Sequence, residues 1–422
     1  MKKGHVQIHS ENILPIIKKW LYSEKDIFIR ELVSNACDAI SKRQILQNRG
    51  ECTTSEDPKI EIFLDKTAKT LTFSDNGIGM TADETEKYLA QIAFSGAEEF
   101  IKSYELNDPF IGHFGLGFYS AFMVADRVDV QTLSCLQDQE PVLWTSDGTS
   151  EYEVQSGSKK TPGTEIILHI NSEHDEFLDE AHIMKTLRRY CSFLPYPIFF
   201  NGSQINPSEP LWQKKPSDCS HQDYIDFYRK LYPYEEDPLF WIHLNVDYPF
   251  HLKGILYFPH LRKDFDLNKS TINLYSNRVF VSDNCKDILP EYLTVLKGAI
   301  DSPDIPLNVS RSYLQVDKTV RQLGIHVAKK VADALSVLYK QENDRFLKCW
   351  QDCELIVKLG ILQDEKFYER AKEFLIWKNT KGSWTTIEEY IQNNKDKTSN
   401  TIFYVTDEQH AKPLLQMYVE KG

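Results

Sequence analysis

The chain has 422 residues, and its 62 Asp and Glu outnumber its 49 Lys and Arg, which gives a formal net charge of −13. The 41% hydrophobic content is that of a globular protein, and at about 100–200 residues per domain the length suggests two to four domains. The acidic balance disfavours broad binding to nucleic-acid phosphates, which usually needs a basic patch. No run of about 18 apolar residues predicts a membrane span, and the N-terminus lacks the apolar segment of a secretory signal. We therefore expect neither a nucleic acid nor a membrane among the partners.

The eight cysteines are scattered along the chain. None forms a CxxC pair, and no histidine pair completes a zinc pattern. In a chain of this size, scattered cysteines are typical of reduced, mostly buried thiols. The sequence therefore predicts a cytoplasmic protein without disulfides.

Helices and strands are mixed in the first half of the chain. Helical periodicity predicts helices over 13–21, 24–46 and 181–193. Alternation of apolar and polar residues predicts strands over 59–64, 70–74, 128–133 and 164–170. Two short apolar runs around Asn201-Gly202 predict a hairpin. A polar, proline-rich stretch follows, so a domain boundary is expected near residues 205–220.

The second half begins with strands and then becomes helical. Strands are predicted over 239–246, 252–258 and 278–281. A long helix is predicted from residue 313 to about residue 355. A smaller mixed unit follows, with helices over 364–375 and 386–392, a strand over 401–405 and a final helix from residue 407.

The predicted helix around residue 31 carries a polar stripe opposite its apolar side. Glu31, Asn35, Asp38 and Lys42 are spaced i, i+4, i+7 and i+11, which places them within about 60° of one another. Such a stripe is usually a solvated face. However, an Asn in mid-helix lowers helix propensity, and a Glu one turn from an Asn can hold a water and a hard cation. Both interpretations are open at this point.

The segment 75–80, Asp-Asn-Gly-Ile-Gly-Met, directly follows a predicted strand. Its glycines provide positions of positive φ, and Asp75 stands at the end of the strand. One interpretation is a plain Asp-Asn-Gly turn. The other is a carboxylate that accepts a hydrogen bond from an amine on a planar ring, with glycines that let the ring approach the backbone.

Gly112, Gly115 and Gly117 precede a predicted apolar helix over 119–125. Glycines that open a helix expose N–H groups at the positive end of the helix dipole, which suits a phosphate. The pattern lacks the preceding strand of a dinucleotide fingerprint and the Gly-Lys-Ser/Thr of a Walker-A loop. Alone it is also compatible with a packing turn. The polar helical segment 82–109, between this motif and the previous one, is a candidate lid.

Together the three motifs resemble the ATPase domain shared by gyrase-type topoisomerases, ninety-kilodalton heat-shock chaperones, histidine kinases and MutL-type repair proteins. Longer segments single out one of these families. SEKDIFIRELVSNACDAI, IGHFGLGFYSAFMVADRV, GTEIILHI, INLYSNRVFV and LKGAIDSPDIPLNVSRSYLQ are similar to the heat-shock protein 90 family. The resemblance extends from about residue 5 to the end of the chain and is strongest with the bacterial branch of the family.

The resemblance implies a role for each motif residue in binding ATP with Mg²⁺ and hydrolysing it. Glu31 is implied to be the general base that positions the attacking water, and Asn35 to be a ligand of Mg²⁺. Asp75 is implied to accept the adenine amino group, with Gly79 and Thr164 nearby. The other implied nucleotide contacts are Met80 and Phe118 as pocket walls, Gly112, Gly115 and Gly117 as the phosphate loop, and Asp38 and Lys42 on the sugar and phosphate side.

A second implied contribution comes from the other half of the chain. Arg311, in the segment NVSRSYLQ, is implied to reach the γ-phosphate from the middle domain, with Gln315 assisting. Phosphoryl transfer needs positioning and cations at the developing charge. An arginine placed in a second domain would make hydrolysis depend on domain docking. In isolation, Arg311 would be a surface or salt-bridge arginine.

The lid is where the sequence departs from the family pattern. The family usually has Gly-Thr-Ile-Ala-Lys-Ser-Gly, whereas residues 90–96 are Ala-Gln-Ile-Ala-Phe-Ser-Gly. Phe94 replaces a lysine that would face phosphate, and Ala90 replaces a hinge glycine. No change falls on Glu31 or Asp75, so hydrolysis is expected to survive.

The resemblance implies an α+β protein with several domains. Residues 1–207 are expected to form an N-terminal ATP-binding domain, a two-layer α/β sandwich of the ATPase type named above. A middle domain of α/β/α layers is expected to follow, with a large subdomain (208–325), a helical connector (326–356) and the start of an incomplete small subdomain (357–422). The family's C-terminal dimerisation domain is expected to be absent, so the chain would be monomeric although the full-length protein is a homodimer. Whether the chain is a truncated or a naturally short protein stays open.

The function implied is a weak ATPase whose cycle closes the lid and docks the domains, in order to fold or remodel client proteins. One alternative is a nucleotide-binding scaffold that does not hydrolyse ATP. Another is a sister ATPase, such as a topoisomerase subunit or a histidine kinase, which the negative charge and the lack of a preceding dimerisation helix disfavour. Trp241 and Trp350 would face clients or lie in the core, and the usual burial of tryptophan favours the core.

Overall fold

The computed structural model describes residues 24–52, 56–105, 110–112, 115–248, 250–261, 271–283, 285, 288–305, 318–398, 401–407 and 409–420. Within these residues the strands form a sheet of eight, a sheet of five and a two-stranded hairpin. The helix predicted over 13–21 lies outside the described residues. The two larger sheets belong to consecutive parts of the chain, which we call the first unit and the second unit.

The first unit contains the eight-stranded sheet. Its helices are α1 (Ile27–Asn48), α2 (Ala82–Leu89), α3 (Gly96–Tyr104) and α4 (Glu180–Cys191), and a 3-10 helix covers Gly117–Met123. Its strands are β1 (Ile60–Asp65), β2 (Thr70–Asp75), β3 (Ala125–Leu133), β4 (Val142–Ser146), β5 (Glu153–Ser156), β6 (Gly163–Ile170), β7 (Ile198–Phe200) and β8 (Ser203–Gln204).

The strand order is β5-β4-β3-β6-β2-β1-β7-β8, and every neighbouring pair is antiparallel except β1 with β7. Alternate residues of β2 are buried, as in a sheet that has one covered face. Phe28 of α1 lies edge-on to Phe73 of β2 at 6.2 Å and to Phe177 at 5.0 Å between ring centroids. A helical layer thus packs on the sheet, and the predicted two-layer α/β sandwich is confirmed.

The second unit contains the five-stranded sheet, in the order β12-β11-β13-β10-β9. Its strands are β9 (Phe240–Val246), β10 (Leu252–Phe258), β11 (Thr271–Ser276), β12 (Val279–Ser282) and β13 (Lys297–Asp301). The helices around it are α5 (His221–Leu231), α6 (Lys318–Gln341), α7 (Asn343–Gln363) and α8 (Glu365–Ala371). After these come β14 (Ile376–Lys378), β15 (Trp384–Thr386), α9 (Ile387–Asn393), α10 (Lys395–Thr398) and α11 (Lys412–Glu420).

Strand β10 lies between two hydrophobic cores. Ile255 and Tyr257 belong to the core that continues into the first unit, whereas Leu252, Leu256 and Phe258 belong to the core beneath α6 and α7. Because successive side chains of a strand point to opposite faces, both faces of this sheet are covered. The predicted α/β/α layering is confirmed, and so is the core position of Trp350, which has no exposed surface.

Several predictions about local structure were wrong. The single long helix is two helices, because the backbone leaves the helical conformation at Glu342 (φ −132°, ψ 53°) and α7 folds back onto α6. The predicted strand over 401–405 has no regular structure, and among the described residues no strand pairs with it. The predicted apolar helix over 119–125 is a 3-10 turn followed by the start of β3.

Other elements were confirmed or missed. The hairpin at Asn201-Gly202 is present as β7 and β8, and all eight cysteines are free. Six strands, β4, β5, β11, β13, β14 and β15, were not predicted from the sequence. Because β4 and β5 extend one edge of the first sheet and β13 lies inside the second, the sheets are wider than the alternation pattern indicated.

Candidate functional site

The polar stripe of α1 is not a solvated face. Glu31 and Asp38 are 8% and 6% exposed, and Asn35 and Lys42 are half-buried. The apolar side of the helix is buried as well. A helix that buries polar side chains must satisfy them with specific partners, so the solvated-face interpretation was wrong and the stripe faces an enclosed region.

Glu31 has one oxygen paired and one oxygen available. Arg30 donates to its Oε1 from Nε at 3.0 Å and from Nη2 at 2.7 Å. Within the described part of the chain, Oε2 accepts no hydrogen bond. A β-carbon added to Gly117 would lie 2.7 Å from this Oε2. The glycine therefore keeps open the space into which the carboxylate points.

Asp38 holds the backbone of the glycine motif. The N–H of Ile111 donates to Oδ1 at 2.8 Å and the N–H of Gly112 donates to Oδ2 at 2.7 Å. A β-carbon on Gly112 would stand 3.2 Å from Asp38 Oδ2 and 3.4 Å from Asn35 Oδ1. The loop thus approaches α1 closely, beside the Asn35 side chain. That Asp38 also lines the nucleotide's sugar side stays a prediction.

The ammonium group of Lys42 lies near two aromatic rings. Its Nζ is 5.5 Å from the Phe100 ring centroid and 5.7 Å from that of Phe110. Among the described residues no carboxylate is within ion-pair distance of it, and burial lowers the pKa of the Lys42 amine. This ammonium group, which has no carboxylate partner among the described residues, suits a phosphate.

Asp75 ends β2 directly opposite Thr164 of β6. Its Oδ1 accepts the N–H of Gly77 at 2.7 Å, and a carboxylate has lone pairs for further donors. Burial raises the pKa of Asp75 from 3.8 to about 6, although hydrogen bonds from Gly77 and Thr164 oppose this shift. The carboxylate is ionised at neutral pH and is matched to a neutral donor such as an amine on a ring.

Thr132 connects the residues around Asp75, and no sequence motif had singled it out. Its Oγ1 accepts the N–H of Met80 at 2.9 Å and lies 3.1 Å from Thr164 Oγ1. Gly79, with φ +65°, sits where a β-carbon would be 1.9 Å from the Leu133 carbonyl oxygen, so only glycine fits. Thr132 thus contacts both Met80 and Thr164 and holds them close to each other.

The candidate lid comprises α2, α3 and the segment between them. Phe94 stacks on Tyr88 with 5.9 Å between centroids and 15° between planes. Lys87 pairs with Glu99 and lies over the Phe94 ring. The N–H of Ala93 donates to the Gly115 carbonyl at 3.3 Å. The predicted lid is therefore two helices whose connection rests on the glycine motif.

Phe118 packs edge-on against Phe122 and Trp144, with ring centroids 6.0 and 5.7 Å apart. It belongs to the core next to Gly117 in the chain.

Arg311 and Gln315 lie outside the described residues, so their implied roles stay predictions. The structure brings Glu31, Asn35, Gly112 and Gly117 together along α1 and groups Met80, Thr164 and Gly79 around Asp75.

No group of three potential metal-ligating His, Cys, Asp or Glu residues occurs in the described part of the chain. Mg²⁺ does not need one, because it keeps several waters and binds through one or two protein oxygens together with substrate phosphates. The Asn35 side-chain oxygen beside the glycine motif is a donor of this type. The residues present therefore fit a magnesium ion that arrives with a phosphate ligand.

Comparison with known proteins identifies both parts of the chain. A family model described as "Histidine kinase-, DNA gyrase B-, and HSP90-like ATPase" matches residues 23–166. A model described as "Hsp90 protein" matches residues 199–421, more than half of the chain. The chain belongs to the Hsp90 family. The Hsp90 model matches the second part of the chain as well, so the sister-ATPase alternative is set aside.

The Hsp90-family relatives include bacterial proteins named "Chaperone protein HtpG". Those of Porphyromonas gingivalis and Bacteroides thetaiotaomicron are each 46% identical, and that of Geobacter sulfurreducens is 34% identical, over 100% of this chain. The alignment covers 65% of the first two relatives and 71% of the third. This chain thus spans about two thirds of the length of these Hsp90 proteins. Among its described helices, none has the length and hydropathy that crossing a membrane requires.

Proposed function

We propose that this chain binds ATP with Mg²⁺ and hydrolyses it to ADP and phosphate. The observation that carries the proposal is the Oε2 of Glu31, which accepts no hydrogen bond from a described residue and lies beside Gly117, on the same helix as Asn35 and next to the loop at Gly112. A base, a cation ligand and a row of backbone N–H groups are the elements that phosphoryl transfer needs. ATPase activity in general agrees with the family; the assignment of each residue is our proposal.

At the adenine end, Asp75 would accept the exocyclic amine through Oδ2, while Gly77 holds Oδ1. Thr164 and Met80 would line the ring, both positioned by Thr132. At the phosphate end, Lys42 and the N–H groups of Gly115 and Gly117 would contact the phosphate oxygens, whereas the N–H of Gly112 is held by Asp38.

Glu31 would orient the attacking water through Oε2, because Arg30 fixes the carboxylate from the other side. When bound, Mg²⁺ supplies positive charge to the phosphate oxygens, and Asn35 would hold it. Arg311 and Gln315, whose roles come from the family resemblance, would add a cation and a hydrogen-bond donor from the middle domain. Hydrolysis would then require the second unit to dock.

For the whole protein we propose an ATP-dependent chaperone whose lid closure and domain docking act on unfolded or partly folded clients. A homodimer is proposed for the full-length protein, with this chain alone as a slow monomer in the cytoplasm. We also propose the domain limits 1–207, 208–325, 326–356 and 357–422. The name of the bacterial relatives, chaperone protein HtpG, supports the chaperone part of this proposal.

The test removes the carboxylate of Glu31 and keeps the rest of the proposed nucleotide site unchanged. Glu31→Ala should retain ATP affinity within about threefold by calorimetry and lose about 100-fold or more in steady-state hydrolysis, which is the usual contribution of a general base. Glu61→Ala, on the partly exposed face of β1, is the matched control and should hydrolyse ATP normally. Equal turnover in Glu31→Ala and the unmodified chain would refute the assignment.

A second candidate is a scaffold that binds ATP without hydrolysing it. The lid favours this possibility, because the backbone of Phe94 lies so close to Gly115 that a β-carbon there would be 2.3 Å from the Phe94 oxygen. A lid held this way limits loop movement. Micromolar ATP affinity together with turnover equal to that of Glu31→Ala would select the scaffold.

A further inference from the structure

A two-residue turn in the second unit has an unusual residue in its second position. Asn277 and Arg278 connect β11 to β12, with φ +50° and +68°. Two consecutive positive φ values define the hairpin turn in which Asn-Gly is preferred. Arginine in this conformation is strained, and strain that persists in a non-glycine residue points to a function of its side chain.

Both side chains of the turn contact the first unit. Arg278 donates from Nε to the carbonyl oxygen of Phe193 at 2.8 Å, just after α4. Asn277 donates from Nδ2 to the carbonyl oxygen of Phe110 at 3.4 Å, two residues before Gly112. Arg278 thus gains an acceptor that a glycine could not use, on the opposite side of the boundary between the two units.

The second unit holds this turn rigidly. The N–H of Arg278 donates to Asp301 Oδ1 at 3.2 Å, and Trp212 Nε1 donates to Asp301 Oδ2 at 3.1 Å. The Phe193 ring packs against Trp212 and Tyr275, with centroids 4.8 and 5.4 Å away. A side chain of the first unit is therefore enclosed by aromatic rings of the second.

Through Asn277, the turn contacts the same backbone segment that Asp38 binds. The N–H groups of Ile111 and Gly112 donate to Asp38, while the carbonyl of the preceding Phe110 accepts from Asn277. The segment 110–112 thus contacts α1 on one side and the second unit on the other. A cavity of about 350 Å³ borders it, lined among others by Cys37, Asp38, Ser41, Asn277, Arg278 and Asp301.

We propose that the Asn277–Arg278 turn is an interdomain clamp that positions the start of the glycine motif against α1. Both are positioning residues: Asn277 acts on the loop through the Phe110 carbonyl, and Arg278 seats the turn against the first unit through the Phe193 carbonyl. The effect that we expect of this clamp on turnover depends on the proposed ATP hydrolysis. Its effect on the loop itself does not depend on nucleotide.

The test is Arg278→Gly, which keeps the turn conformation and removes the donor. We expect kcat for ATP hydrolysis to fall about tenfold, because a displaced loop misaligns the reacting groups, while KM changes less than twofold. The thermal midpoint should be equal or higher, since glycine relieves the strained φ. Lys69→Gly is the matched control, because Lys69 is a basic residue at φ +54° in the β1–β2 turn and is remote from the boundary. It should leave kcat unchanged.

A measurement without nucleotide separates the clamp from the proposed function. Amide hydrogen exchange of Ile111 and Gly112 should accelerate about tenfold in Arg278→Gly and in Asn277→Gly, and should not change in Lys69→Gly. If the unmodified chain lacks ATPase activity, the proposed function fails and this exchange still tests the clamp. Unchanged exchange in both turn variants, or an equal acceleration in Lys69→Gly, would overturn the clamp.

Discussion

The buried carboxylate of Asp75 makes a quantitative prediction about pH. An amine on adenine needs an acceptor, and protonation converts Oδ2 into a donor, so the protonated form should not bind. With a pKa of about 6, about 10% of the carboxyls are protonated at pH 7 and about 90% at pH 5. The affinity should therefore be constant above pH 7 and fall about tenfold by pH 5, equivalent to about 1.4 kcal/mol of binding free energy.

Calorimetry with adenosine measures this effect, because adenosine has no phosphate that titrates in the same range. Purine riboside, which lacks the exocyclic amine, is the matched ligand control and should bind weakly with no such pH dependence. A surface carboxyl with a pKa near 4 would leave adenosine affinity flat down to pH 5. A flat profile for adenosine, or the same slope for purine riboside, would refute the assignment of Asp75 to the adenine amine.

Two glycine-related predictions concern the loop and the lid. Gly117→Ala places a methyl group 2.7 Å from Glu31 Oε2, so hydrolysis should fall at least tenfold while ATP affinity changes little; unchanged turnover would contradict the placement of Glu31. Ala93 has φ +63°, a conformation that costs a non-glycine residue about 1 kcal/mol. Ala93→Gly should therefore raise the free energy of unfolding by up to about 1 kcal/mol in urea denaturation, and a lower free energy would count against strain at this position.

The sequence indicated the residues of the candidate site better than their surroundings. The spacing along α1 was visible because a helix has a fixed period, and Asp75 was visible because a strand precedes its turn. Thr132 was not visible, since its contact with Thr164 depends on the register between β3 and β6. A register between strands that are distant in sequence is set by tertiary packing.

Two hairpin turns illustrate the same limit. Asn201-Gly202 has the preferred residues for positive φ and was predicted correctly. Asn277-Arg278 adopts the same type of conformation without the glycine, so the sequence concealed both the turn and its role. Arg278 occupies this conformation because its partner, Phe193, belongs to another part of the chain, and no local pattern records that contact.

The parallel pairing of β1 with β7 has a consequence for biosynthesis. Ile60 lies opposite Ile198, so a ribosome must add well over a hundred residues between the two strands. Until then, β1 has an unpaired edge, and such edges template aggregation. Pairing over so long a separation is also slow, because the chain entropy is lost before the contact forms. The nascent first unit is therefore itself a temporarily incomplete sheet, most exposed to misassociation just before its seventh strand emerges.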